Sequence, residues 1–167
     1  MRSMRLVVCF GLALAVSACA NPNRFGPGGP GGPGGSGAIG GVGDPRSPAY
    51  FQQTVGDRVL FAVDQSTLSP EARTTLTSQA GWLMQNPEYT AIIEGHADEQ
   101  GTREYNIALS DRRASSVQEF LVSQGVSPAR LQTIPYGKER PIEICSDEIC
   151  YSRNRRAVTV VAAGLGV

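Results

Sequence analysis

The segment from Glu94 to Val117 concentrates charge in a chain in which only 18% of residues are charged. It contains the only histidine, His96, together with three arginines and several carboxylates. A histidine beside carboxylates can transfer protons, whereas a carboxylate opposite an arginine can bind the two ends of a zwitterion. The segment is therefore a catalytic centre, a binding site or a solvated charged surface.

Arg113 falls on the apolar face of the helix predicted for this segment. At about 100° per residue, four side chains lie within about 40° of it on the helical wheel: Asn106, Leu109, Val117 and Phe120. A guanidinium that is buried without an anion costs several kcal/mol. We therefore expect Arg113 to meet a carboxylate of the protein or of a ligand.

Asp98 is the natural candidate, because it lies between the preceding strand and this helix. Two interpretations remain open. Asp98 and Arg113 form an internal ion pair, which the charges alone favour, or they hold opposite ends of a zwitterionic ligand such as an amino-acid head group. Asn106 could add hydrogen bonds on the same face, whereas Arg112 points toward the polar side.

The elements around this segment predict an α+β fold. Apolar runs rich in β-branched residues indicate strands, and Ser69 followed by Pro70 is typical of a helix start. The predicted order is β-α-β-α-β-β, with strands near 58–63, 89–97, 131–137 and 155–163 and helices near 70–86 and 103–123. We expect a two-layer sandwich in which the helices pack on one mixed sheet.

Residues 1–18 are predicted to be a lipoprotein signal peptide. Arg2 and Arg5 precede an apolar run that is too short to cross a bilayer comfortably. The sequence "VSAC" is similar to a bacterial lipobox, in which the cysteine, here Cys19, is lipidated. The alternative is an ordinary secretory cleavage site beside a chance cysteine. Ala20, where an aspartate would favour the inner membrane, suggests the outer membrane.

Residues 19–48 are predicted to be a flexible tether, and residues 49–167 a folded domain. The stretch "GPGGPGGPGGSGAIGGVGDP" has almost nothing to bury and loses much backbone entropy on ordering. A flexible chain of roughly 38 residues, from Cys19 to the first strand, spans about 30 to 35 Å on average. A collagen triple helix is the alternative, but the repeat is short.

Removal of the signal peptide leaves 13 basic and 15 acidic residues. This balance argues against nucleic-acid binding. Cys9 would leave with the signal peptide and Cys19 would be acylated. Cys145 and Cys150 would then remain, and they are predicted to form a disulfide in an oxidising compartment. Free buried thiols are the alternative. No metal site or cofactor is predicted, because further soft ligands are lacking nearby.

Four segments together resemble the family of outer-membrane protein A-like carboxy-terminal domains: "FAVDQSTLSPEA", "EGHADEQGTREYNIALSDRRASSVQEFL", "YGKERP" and "YSRNRRAVTV". The match covers roughly residues 55–161 in the same order. The combination of "GHAD" with "YNxxLSxRRAxxV" is highly specific. The lipobox and the tether favour the lipoprotein members of the family over the members that carry a barrel.

The resemblance implies a domain that binds the peptide stem of peptidoglycan, at its meso-diaminopimelate side chain, without cleaving it. By motif, Asp98 and Arg113 match the pair that engages the amine and carboxylate of that side chain. Asn106 matches a supporting polar contact, and Asp64 matches an aspartate after the first strand.

The segment "NRRA" implies one further arginine near the pocket, Arg155 or Arg156, and the motif does not choose between them. His96 is expected to make a structural hydrogen bond at the strand end. Ala62 stands where many relatives have an acidic residue, and the cysteine pair is not universal in the family.

The family further implies a tether from the outer membrane to the cell wall, facing the periplasm, with Tol-system partners such as TolB. Two alternatives are a noncatalytic protein-binding adaptor and a cell-wall hydrolase that uses His96 with Asp98 or Glu94. The sequence lacks the zinc ligand set and the nucleophile elbow that are typical of hydrolases, and we expect no enzyme activity.

Overall fold

The computed structural model of the chain describes residues 41–144 and 146–163. Four predicted features lie wholly or partly outside these residues: the signal peptide, the lipidation site Cys19, residues 19–40 of the tether, and Cys145. The predicted disulfide with Cys150 therefore stays a prediction. No helix in the described part of the chain is long and apolar enough to span a membrane.

Four α-helices and four strands make up the regular structure of the described residues. The first helix continues as a π-helical turn at Phe51–Gly56, and a 3₁₀ turn at Pro128–Arg130 precedes the third strand. In chain order the elements are α1 (Pro48–Tyr50), β1 (Arg58–Leu60), α2 (Pro70–Gln85), β2 (Tyr89–Gly95), α3 (Arg103–Ser123), β3 (Leu131–Pro135), α4 (Glu148–Asn154) and β4 (Arg156–Ala163).

The strands form one mixed sheet in the order β1-β4-β2-β3. β4 pairs antiparallel with both β1 and β2, and β2 pairs parallel with β3. The predicted α+β fold with helices on a mixed sheet is confirmed. Because β4 and β2 are adjacent, Ala157 at the start of β4 lies opposite Gly95 at the end of β2. This register brings the segment after β2 next to Arg155 and Arg156, the residues at which β4 begins.

The two long helices begin and end where local chemistry predicts. The Ser69 hydroxyl accepts a hydrogen bond from Ala72 N, and Thr102 caps α3 in the same way through Tyr105 N. Their apolar faces cover one face of the sheet. The main core residues of the layer between them are Phe51, Val59, Leu76, Leu83, Ile93, Val117 and Leu121.

Helix α4 was not predicted from the sequence, because its seven residues are too few to show a clear helical period. It begins where the Asp147 side chain accepts a hydrogen bond from Cys150 N at 3.0 Å. Strand β1 also ends earlier than predicted, at Leu60 rather than at residue 63. Beyond it the chain turns away from the sheet, with Asp64 in the left-handed conformation at φ 59°.

The segment just before α1 packs on the domain. Trp82 Nε1 donates to the Pro45 carbonyl at 2.7 Å, and the buried Ser47 side chain accepts from Tyr50 N. These residues belong to the predicted tether. The part of it nearest the domain is therefore held against α2.

Gly95 allows α3 to contact the end of β2 directly. A Cβ atom at this position would lie 1.9 Å from the Ser110 carbonyl oxygen and 3.3 Å from Ala114 Cβ. Arg113 lies between these two residues in the sequence, so the close approach sets its position relative to the strand. The helix can come this near only because residue 95 has no side chain.

We predict that Gly95→Ala destabilises the protein by more than about 2 kcal/mol, because the new methyl group meets rigid backbone atoms. Gly81→Ala in α2 is the matched control, since a Cβ there meets nothing within 4 Å. This control should be stabilised by about 0.5–1 kcal/mol. Urea unfolding midpoints measure both changes, and equal midpoints for the two variants would contradict the close-contact explanation.

Candidate functional site

A cleft of about 240 Å³ opens between the segment after β1, the segment after β2 and the first half of α3. It brings together four of the predicted site residues, Asp64, Asp98, Asn106 and Arg113. The complete lining consists of Val63, Asp64, Asp98, Gln100, Gly101, Tyr105, Asn106, Leu109 and Arg113. These four predicted binding residues therefore share one concave surface, whereas Arg155 and Arg156 do not line it.

Arg113 reaches the cleft from inside the protein, and its side chain is completely buried. Three backbone carbonyls hold its guanidinium: Nε donates to Gln65 O at 2.8 Å, Nη1 to His96 O at 2.8 Å and Nη2 to Ala62 O at 3.2 Å. The Phe61 ring lies 5.2 Å from the guanidinium carbon. Because a guanidinium has five N–H donors, two remain for a ligand.

Arg113 forms no ion pair with any carboxylate in the described part of the chain, at a limit of 4.0 Å. The interpretation of a direct ion pair between Asp98 and Arg113 is therefore wrong. Burial lowers the pKa of Arg113 to about 10, although the charge of Asp98 acts in the opposite direction. Even so, the group stays cationic at neutral pH. A buried cation of this kind favours an anionic ligand.

Asp98 instead pairs with Arg155, whose Nη1 lies 3.1 Å from Asp98 Oδ2. The other carboxylate oxygen, Oδ1, accepts from Gln100 N at 3.2 Å. Arg156 does not approach the cleft, and its guanidinium donates to the carbonyls of Asn154 and Arg140. Of the two adjacent arginines, the structure thus places Arg155 beside the predicted site. Arg155 is the residue between α4 and β4 and pairs with Asp98, whereas Arg156 is the first residue of β4.

Asn106 and Asp64 line the mouth of the cleft. Asn106 Nδ2 donates to Gln100 O at 2.8 Å, and its Oδ1 accepts no hydrogen bond from the described residues. The hydroxyl of Tyr105 donates to Asp64 Oδ1, which ties α3 to the segment after β1. Sequence reasoning missed Tyr105 and Gln100. Their adjacency to Asn106 and Asp98 in the chain was the only available signal.

The cleft lining combines opposite charges: the cation Arg113, the carboxylates of Asp98 and Asp64, and the amide oxygen of Asn106. A ligand carboxylate suits the guanidinium, and a ligand ammonium suits the carboxylates and the amide oxygen. Within the described ranges, no three His, Cys, Asp or Glu side chains are arranged as metal ligands. The arrangement fits noncovalent binding of a zwitterion.

His96 lies next to the site in the sequence, but its ring does not line the cleft. The ring stacks on Tyr136 with centroids 5.4 Å apart, and neither ring nitrogen has a hydrogen-bond partner among the described residues. Glu94 Oε2 approaches Nε2 only to 3.6 Å. The expected structural hydrogen bonding at the strand end is made by the backbone rather than by the ring, because His96 N donates to Arg156 O at 2.9 Å. His96 supports the site through its backbone carbonyl, which accepts from Arg113.

Most of the chain is similar to known proteins. Residues 60–155 match the OmpA family. The chain is 52% identical over 118 residues to the peptidoglycan-associated lipoprotein of Mesorhizobium japonicum, covering 71% of this chain and 70% of that protein. It is 47% identical over 159 residues to that of Agrobacterium fabrum, covering 93% and 86%.

A solved structure is also similar. The peptidoglycan-associated lipoprotein of Burkholderia pseudomallei superposes with a TM-score of 0.65 at 33% identity. The superposition covers 72% of this chain and 98% of that one. The structural similarity therefore spans the domain that carries the cleft.

Burial lowers the pKa of His96 from 6.5 to about 3, and the nearby charges of Arg156 and Arg140 act in the same direction. The folded protein thus keeps this ring neutral between these two values, whereas the unfolded chain protonates it. Because the unfolded state binds more protons in this range, the free energy of unfolding falls as the pH is lowered from 6.5 toward 3.

We predict that His96→Phe removes this contribution, since the ring nitrogens make no hydrogen bonds that the substitution would break. The stability difference between wild type and variant should shift in favour of the variant by up to roughly 1.4 kcal/mol per pH unit below 6.5. Urea unfolding at pH 7, 6, 5 and 4 measures the difference. A difference that is constant over this range would contradict the buried neutral histidine.

Proposed function

The chain belongs to the OmpA family and, within it, to the peptidoglycan-associated lipoproteins, and on this premise we propose that it binds peptidoglycan noncovalently. The ligand is the diaminopimelate side chain of the peptide stem, and the binding site is the cleft at Arg113. The lipid on Cys19 attaches the protein to the outer membrane. The protein thereby links the outer membrane to the cell wall.

One observation carries this proposal: a fully buried guanidinium at the cleft has no carboxylate partner among the described residues. Diaminopimelate ends in a carboxylate and an ammonium on the same carbon. The carboxylate fits the two free N–H donors of Arg113, and the ammonium fits Asp98, Asp64 and the amide oxygen of Asn106. A lysine side chain has only the ammonium and would leave Arg113 unpaired.

The geometry also supports a noncatalytic role. The His96 ring lies outside the cleft lining, and Asp98 is already engaged by Arg155 and by the Gln100 amide. A hydrolase that used His96 with Asp98 as acid and base would need both groups at the same reacting atom. Binding by charge-assisted hydrogen bonds needs no such arrangement.

The proposal extends to the rest of the chain and to its partners. Residues 19–40 provide length between the lipid and the domain, and their composition favours a flexible chain. Tol-system proteins such as TolB are the proposed partners, in envelope integrity and cell division. This part rests on the family resemblance.

We expect Asp98→Asn and Arg113→Lys each to weaken binding of an L-alanyl-γ-D-glutamyl-diaminopimelate tripeptide by at least about tenfold. The first substitution removes the charge that attracts the ammonium. The second keeps the charge but not the planar fork that meets a carboxylate. Isothermal titration calorimetry measures the affinity, and a lysine-containing tripeptide should bind wild type more weakly than the diaminopimelate peptide.

Arg112→Lys is the matched control, because Arg112 is the exposed neighbour of Arg113 on the same helix. It should bind with an affinity within about twofold of wild type, since exposed charges contribute little. Circular dichroism establishes that each variant folds. Undiminished affinity in folded Asp98→Asn and Arg113→Lys variants would refute the proposed site.

We further expect a Cys19→Ser variant, which carries no lipid, to sediment with purified sacculi. Addition of Asp98→Asn should leave most of this protein in the supernatant, because the main ammonium contact is lost. No muropeptides should appear in the supernatant during incubation. Released fragments would show catalysis, and a Cys19→Ser protein that does not sediment would instead favour a protein-binding adaptor.

A further inference from the structure

Glu148 joins the cleft to helix α4 through Arg155. It is the first residue of α4, and Arg155 follows the last, seven residues later. Because seven residues make nearly two helical turns, the two side chains lie on the same side. Glu148 Oε1 pairs with Arg155 Nη2, and Glu148 Oε2 lies 3.4 Å from Arg155 Nη1. Both carboxylate oxygens therefore face one guanidinium.

Arg155 is held from three directions. Its Nε donates to the Phe61 carbonyl at 3.3 Å, and Nη1 donates to Asp98 Oδ2 at 3.1 Å as well as facing Glu148. Its side chain is only 5% exposed, whereas that of Glu148 is 65% exposed. Burial lowers the pKa of Arg155, but its hydrogen bonds to Glu148 and Asp98 and the charges of these carboxylates together outweigh burial and raise it. One buried cation is thus shared by two carboxylates.

This sharing determines how much negative charge Asp98 presents to the cleft. If Arg155 had Asp98 as its only carboxylate, the pair would be mutually neutralised and Asp98 would attract an ammonium more weakly. Glu148 supplies a second carboxylate to the same guanidinium. It also fixes the end of the guanidinium that points away from Asp98.

We propose that Glu148 is a positioning residue for the ammonium subsite: it shares and orients Arg155, so that Asp98 remains available to the ligand. The proposal rests on the proposed function, because it concerns the same cleft. Glu148 does not line the cleft. It would therefore affect the ligand only indirectly, through Arg155 and Asp98.

The test uses Glu148→Gln in the unlipidated Cys19→Ser protein. The first probe is the diaminopimelate tripeptide, and the second is the same peptide with its side-chain amine acetylated. Glu148→Gln should weaken binding of the first about two- to fivefold, the range of a partly exposed ion pair. It should leave affinity for the second unchanged, because that peptide has no side-chain ammonium. Glu148→Asp should recover part of the loss.

A second measurement needs no ligand. Rotation about the Nε–Cζ bond of Arg155, followed by nuclear magnetic resonance, should be faster in Glu148→Gln than in wild type. Glu143→Gln is the matched control, because Glu143 pairs with the exposed Arg153 near the same helix and has no contact with Asp98. This control should leave the affinities and the Arg155 rotation unchanged.

Two results would overturn the proposal. Equal weakening of both peptides would show a general structural role for Glu148, and unchanged rotation of Arg155 would show that Glu148 does not hold it. Failure of the proposed function looks different: wild type would then bind neither peptide, and the Arg155 rotation alone would decide whether Glu148 positions that side chain.

Discussion

The structure of the site depends on a single buried guanidinium. Arg113 gives three hydrogen bonds to backbone carbonyls from the segment after β1 and the end of β2, and it receives no carboxylate from the described residues. Neutral carbonyls satisfy its donors only in part and leave its charge uncompensated. Without these three hydrogen bonds, the buried charge of Arg113 would destabilise the folded protein whenever no ligand is bound. The carbonyls thus keep the cation in place while leaving it available to an anion.

Two close contacts in the fold position the charged groups of the site. Gly95 lets the backbone of α3 lie against the end of β2, and the β2 and β4 pairing brings Arg155 to Asp98 across 57 positions of the chain. Each charged group is therefore fixed by elements that pack in the core. A cleft built in this way needs little rearrangement to bind, which limits the entropy lost on association.

The carboxylates are arranged differently from the cation. Asp98 is partly compensated by Arg155, which Glu148 also contacts, and Asp64 is tied to Tyr105. Repulsion between these acids is thus reduced, whereas Arg113 pairs with no carboxylate of the described residues. The asymmetry predicts that a ligand carboxylate contributes more to recognition than a ligand ammonium does. It is also the reason that we propose diaminopimelate, rather than lysine, as the ligand of the cleft.

Sequence periodicity was enough to predict the succession of strands and long helices along the chain. It also predicted that Arg113 faces inward. Both features depend on residues that are close to one another in the sequence. The helix start at Ser69 was predicted correctly for the same reason, because the capping residue and the helix are adjacent in the chain. The partner of Asp98, the choice of Arg155 over Arg156 and the direction of the His96 ring were decided only by tertiary structure. They depend on which strands are neighbours and which face each residue occupies, and no local pattern contains that information.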